Sequence, residues 1–333
     1  MKQIKKLSTK LLLVLGVMIL SVTVWQVIVS KRVIGDMVKI CRSQSQSTEQ
    51  IHELLKSGEL KTYHPVPCRP FSKIKLNGVN AHILKGKEYE VYVSDYYKRY
   101  VEVEIIDDEL FLNSFSGLPT HNHNTPVFIF MPEDPQLVYY KPDTSQFQTI
   151  FEIHGFKGEN TLLWCEGIKG CEKRIVIVTD MPYINVNQKE SSLKIFTSRL
   201  DSTIKTNCLQ VNAHVENGKF YFDDRISDSI NVNIQLQESV IEGLRINSMT
   251  KVGTLSVQGS LHKRRDRSEN YYIYDYRDIE KMEISYPGQC DSLLIQLTSD
   301  LTSSYQLWLA KGLSGRFENI DCTNNVVVVR MEE

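Results

Sequence analysis

The stretch FSKIKLNGVNAHILKGKEYEVYVS, Phe71 to Ser94, decides how the rest of the chain is read. Ile74 and Leu76 alternate with Lys73, Lys75 and Asn77, and Tyr89, Val91 and Val93 alternate again further on. Residues two apart on a strand share a face, so the spacing predicts strands with one buried side. Asn77-Gly78 and Lys85-Gly86-Lys87 supply the turns between them. VEVEI, Val101 to Ile105, continues the pattern with Glu102 and Glu104 facing away, and Leu110 and Leu112 follow the Asp107-Asp108-Glu109 turn.

The same period runs on. VFIFMP from Val127 and IVIVTD from Ile175 are apolar strands. YINVNQ, LKIFTS, LQVNAHVENGKFYFDD, INVNIQL, GLRINS and GTLSVQGS alternate Asn, Ser, Thr and Gln with aliphatic residues. An all-β fold follows. A parallel β-helix, or solenoid, and a β-sandwich both fit. Tight hairpin turns are scarce between Ile175 and Ser260, which favours the β-helix. ENGKF, Glu216 to Phe220, alone has the look of a hairpin.

Ahead of the strands lies a different kind of sequence. Leu11 to Val29 is 19 residues without a charge, preceded by Lys2, Lys5, Lys6 and Lys10 and followed by Lys31 and Arg32. As a helix it spans roughly 28 Å, close to the hydrocarbon thickness of a bilayer. The charge asymmetry keeps the N-terminus in the cytoplasm and exports the remainder. The expectation is a single-pass inner-membrane anchor, with a cleaved signal peptide as the rival. Residues 1–30 then form tail and anchor, 31–64 a polar stalk, and 65–333 the exported β-rich domain. Within the stalk, Ser47 or Thr48 caps a short helix with Ile51, Leu54 and Leu55 on one face, and Gly58 ends it.

The 333 residues carry a net charge of −1, so the total gives no sign of a nucleic-acid partner. Seven cysteines include Cys165 and Cys171, the best local candidates for a disulfide in an oxidising compartment. With no C-x-x-C pair, a zinc ribbon and thioredoxin chemistry are not indicated. Glycine loops of the nucleotide-binding type and G-x-S-x-G elbows do not occur either. No catalytic, cofactor-binding or metal residue is assigned.

Four features invite function and have plainer readings. His121 and His123 suggest a metal but read better as a polar loop. Asp223, Asp224 and Asp228 suggest calcium or glycan cleavage, yet adjacent acids on a strand point opposite ways. The basic run His262 to Arg267 reads as a solvated loop. Tyr272, Tyr274 and Tyr276 share one strand face and, if exposed, form with Asp224 a candidate binding surface for a glycan or envelope protein.

Phe71, Ile74, Leu76, Gly78, then Gly86, Tyr89, Val91 and Val93, then Val101, Val103, Ile105, Asp108, Leu110 and Leu112 form a pattern. It resembles the auto-transporter adhesin, head GIN domain family, exported proteins common in Bacteroidetes-type bacteria. The likeness is best over Phe71 to Asn113. It implies a β-helix-like stack and an adhesin-like role at the cell envelope. The combined expectation is a non-enzymatic structural or binding module. The alternatives are a glycan-acting enzyme on the same scaffold and a partner-dependent sensory ectodomain.

Overall fold

The computed structural model describes residues 21, 23–24, 31, 35–36, 47–115, 125–142, 148–168, 174–198, 208–224, 231–248, 252–261, 280–285, 289–299, 305–323 and 326–331. Strand predominates among the described residues, as the alternation predicts. Leu11 to Val29 lies almost wholly outside the described residues. Among the described residues no helix is long and apolar enough to cross a membrane.

The strands form two parallel ladders. In the first sheet Glu109–Ser114, Lys73–Asn77, Leu137–Lys141, Leu162–Glu166, Tyr183–Lys189 and the first half of Cys208–Asp224 are neighbours in that order. The ladder continues through the first half of Asn231–Ser248, then Val252–Leu261, Gln289–Ser299 and Ser314–Cys322. The second sheet begins Val127–Met131, Ala81–Lys85, Gln148–His154, Arg174–Thr179, Ser192–Thr197 and the second half of Cys208–Asp224. It continues through the second half of Asn231–Ser248, Glu280–Ser285, Tyr305–Leu309 and Val326–Arg330. A β-sandwich is built on antiparallel neighbours; here the long-range pairing is parallel. Antiparallel pairs are found near the start, where Val101–Ile106 returns on Glu109–Ser114 and Glu90–Ser94 lies between Tyr63–Val66 and Val127–Met131.

Alternation turns one face of most of these strands inward. Ile74, Leu76, Ile83, Leu110, Leu163, Ile177, Ile195 and Phe220 are fully buried and belong to one continuous core. Each such side chain contributes about 1.5–3 kcal/mol relative to exposure. In the opening stretch Ile74, Leu76, Val91 and Val93 are core residues, Tyr89 packs against them, and Gly78 takes a left-handed φ of 66°.

The helix Thr48–Lys56 forms where its capping and apolar spacing place it. Ser47 Oγ accepts from the Gln50 amide at 3.3 Å, and Gly58 follows with φ 72°. Its Ile51 and Leu55 do not face water. They pack with Leu60, Tyr63, Leu84, Tyr92, Phe128 and Phe130 in a second apolar cluster on the outer side of the second sheet.

Two local expectations are corrected. The hairpin predicted at Glu216 to Phe220 is a corner instead: Cys208–Asp224 is one strand that bends from the first sheet into the second at Asn217, φ 53°. Asn tolerates a left-handed backbone whether the chain reverses or only turns a corner. Cys165, a candidate disulfide partner, is a free thiol fully buried in the core. It lies on the inward face of its strand, between the register partners Tyr140 and Gln188. Cys171 lies outside the described residues.

Successive corners stack closely. The Gly167 amide donates to Lys189 O at 2.7 Å, and a Cβ on Gly167 would sit 1.8 Å from Glu190 O. Backbone cannot yield as a side-chain tip does, so Gly167→Ala separates the corners. It is expected to cost about 1–3 kcal/mol, read as a lowered midpoint in thermal unfolding; an unchanged midpoint shows that the corners are not packed this way.

Candidate functional site

Parallel in-register pairing aligns side chains from distant parts of the sequence. On the outer face of the first sheet, one row runs Phe111, Lys75, Tyr139, Trp164, Asn187, His214. Neighbouring members sit one strand spacing apart, about 4.8 Å. Trp164 is 39% exposed although its strand neighbours Leu163 and Cys165 are fully buried. Lys75 Nζ lies 4.9 Å from the centroid of the Phe111 ring, a cation–π distance.

Polar groups flank the row. The Tyr139 hydroxyl donates to Glu166 Oε2 at 2.7 Å, and Lys141 Nζ lies 3.4 Å from Glu166 Oε1. The Tyr139 bond, and the Lys141 charge with it, outweigh burial and hold the Glu166 carboxyl below its ordinary range. Burial, joined by Glu166, pushes the Tyr139 phenol well up. On the other side Asn212 Nδ2 donates to Asn185 Oδ1 at 2.9 Å, and Asn185 Nδ2 donates to Gly158 O at 3.2 Å. Tyr183, 41% exposed, lies next to Asn185 on this face. The row therefore offers exposed ring faces bordered by amides, a carboxylate and ammonium groups.

The outer face of the second sheet carries charge. His82 is the register partner of both Phe128 and Glu152, and Leu84 is the partner of His154. Three histidine–carboxylate contacts join four groups: His82 Nε2 to Glu152 at 3.6 Å, His154 Nε2 to Glu152 at 3.4 Å, and His154 Nδ1 to Asp180 at 3.6 Å. The Gly155 amide donates to the other Asp180 oxygen at 2.9 Å. Burial alone pushes His154 down, but Asp180 and Glu152 on either side outweigh it and raise its pKa to about 9. His82 is lowered, burial being the larger effect. Beyond these residues the same face becomes a groove lined by Arg174, Lys194, Lys219, Tyr221 and Arg245 among others.

The residues singled out in the sequence are not those that the ladders gather. Asp224 is 1% exposed and accepts from Thr197 Oγ1 at 2.6 Å, so it points inward while its neighbour Asp223 faces out. Tyr272, Tyr274, Tyr276, His121, His123, Asp228 and the run His262 to Arg267 lie outside the described residues. Among the described residues no three His, Cys, Asp or Glu side chains are placed to hold a metal ion. Trp164 and Tyr139 escaped notice because no two members of their row are close in sequence. A strand period would have exposed them, but the connecting segments vary in length.

No family model matches the chain, and no curated protein does. Crystal structures similar to it at 10% identity include the following three. One from Bacteroides fragilis, called a "putative adhesin", is covered over 96% of its length by 81% of this chain, with a TM-score of 0.36. A "putative adhesin" from Parabacteroides merdae gives 95%, 81% and 0.39. A "putative lipid binding protein" from Parabacteroides distasonis gives 96%, 80% and 0.29. Likenesses this weak leave the function to be argued from the chain's own side chains.

The buried His154 pairs predict a pH dependence. A group raised above its ordinary value stabilises the fold fully below about 6.5, and that contribution is lost as pH rises through about 9. On the acid side, Glu152 and His82 are both lowered, so each loses its contribution as pH falls. Urea unfolding across pH 5–10 is expected to show a maximum near neutrality, with the alkaline decline flattened in His154→Gln. An alkaline decline unaltered by that substitution contradicts the assignment.

Proposed function

We propose that the protein is a non-enzymatic binding module whose first sheet holds a glycan along the Tyr139–Trp164 row. The observation that carries this is Trp164, 39% exposed and in register with Tyr139 and Asn187 on a strand face. An exposed indole between a phenol and an amide presents an apolar surface to the C–H face of a sugar ring, while Asn187, Lys141 and Glu166 suit its hydroxyls. A flat row one strand spacing per step suits an extended chain more than a small enclosed molecule.

The finer architecture belongs to the same proposal. The two parallel ladders are read as the walls of a β-helix, each circuit of the chain adding one strand to each wall. The uncharged run Leu11 to Val29 with its preceding lysines supports an anchored, exported protein at the cell envelope. The carboxylates argue against the glycan-cleaving alternative: Glu166 is engaged by Tyr139 and Lys141, and Glu152 and Asp180 are spent on His154.

A glycan array probed with the purified protein tests the reading. Neutral glycans are expected to bind, and Trp164→Ala to weaken binding by about tenfold or more, near 1.4 kcal/mol per decade. Because Trp164 is exposed, its thermal midpoint should stay close to that of the unaltered protein. Equal glycan binding by Trp164→Ala removes the row from the function.

A further inference from the structure

On the second sheet, four successive strands each contribute one cation to the outer face. Arg174 is in register with Ser192, and Ser192 with Lys219; one row further, Lys194 is in register with Tyr221, and Tyr221 with Arg245. Arg174 and Lys219 thus share one row, and Lys194 and Arg245 the next. The cations zigzag along the ladder, about 10 Å apart within a row and about 7 Å between rows. Glu283 is the next register partner beyond Arg245, so the basic series ends there.

These residues line a groove of about 400 Å³, completed by Ser192, Tyr221, Phe222, Asp223 and Asn247. Its volume falls within the usual range of small-molecule sites. Among the described residues that line it, Asp223 is the one carboxylate, and it accepts from Asn247 Nδ2 at 3.1 Å. Lys194 Nζ lies 4.3 Å from the centroid of the Phe196 ring, which steers its ammonium along the face. Position 243, beside Lys219, is a glycine. A Cβ there would approach Lys219 Cγ to 3.2 Å, so the glycine gives the lysine stem room to lie across its strand. In a chain of net charge −1, this concentration of positive charge is local.

We propose that the groove binds an acidic saccharide, a glycan chain bearing carboxylate groups, on a face separate from the Trp164 row. Arg174 and Arg245 present planar forks that match carboxylates bidentately, and Lys194 and Lys219 act as point charges between them. Tyr221, between Lys194 and Arg245 in its row, offers a ring to a pyranose. The four cations extend over three strand spacings, about 14 Å. That length suits a chain with recurring charges and exceeds what a single phosphate fills.

The test uses the full chain with oligogalacturonate, its fully methyl-esterified form and inorganic polyphosphate as probes in titration calorimetry. Oligogalacturonate is expected to bind, more weakly as salt is raised, and its methyl ester at least tenfold less well. Arg245→Ala and Lys194→Ala should each weaken binding about tenfold, Arg245→Lys less, and Tyr221→Ala about as much as a lost cation. Trp164→Ala should leave oligogalacturonate binding unchanged, which separates this site from the neutral-glycan row. The proposal is overturned if oligogalacturonate does not bind, if the ester binds equally, or if Arg245→Ala binds like the unaltered protein. It is also overturned if polyphosphate binds as tightly and Tyr221→Ala has no effect, since the groove is then a site for charge alone.

Discussion

Backbone hydrogen bonding between parallel strands fixes a spacing of about 4.8 Å between neighbours. Once a strand pairs in register with its parallel neighbour, every side chain on it acquires a fixed partner. Inward partners become the continuous core of Ile74, Leu163, Ile177, Ile195 and their neighbours. Outward partners become rows. The corners must then close without disturbing that register, which is why Gly167 and Gly218 occur where a Cβ would meet the backbone of the adjacent corner. Core, corners and both candidate faces rest on this one constraint.

Burial and charge divide along the second sheet in a way the constraint explains. Near its start the outward row is apolar, and Leu84, Phe128 and Phe130 are covered by Ile51 and Leu55 of the helix. The row next meets His82, Glu152 and His154, where burial is tolerated because His154 faces Glu152 on one side and Asp180 on the other. Further along, four cations and one carboxylate stand among the described residues that line the groove. One sheet face thus passes from a docked apolar surface, through a neutralised buried network, to a charged groove.

The sequence made the local elements plain and hid what joins them. Alternation at Ile74, Leu76, Val91 and Val93 marks strands because period two is visible within five residues. The helix was legible from Ser47, Ile51, Leu55 and Gly58. Stalk and strand sequence differ in composition, yet the docking of Ile51 and Leu55 could not be inferred, since an amphipathic face does not name its partner. Steps of 25, 23 and 27 residues join Tyr139, Trp164, Asn187 and His214, so no fixed period reveals the row. The groove cations Arg174, Lys194, Lys219 and Arg245 were dispersed for the same reason. Asp224 drew attention as one of an acidic pair, but strand alternation sends it inward to Thr197.

The aligned rows are the central claim, because both candidate faces exist only if the register holds. Electron spin resonance between labels at positions 111 and 214, attached by a chemistry that spares the cysteines, measures it directly. Five strand spacings separate these positions along the row, and the backbone separation is expected near 24 Å. A distance far from this, or a broad spread without a maximum, would contradict the parallel register from which the sites are derived.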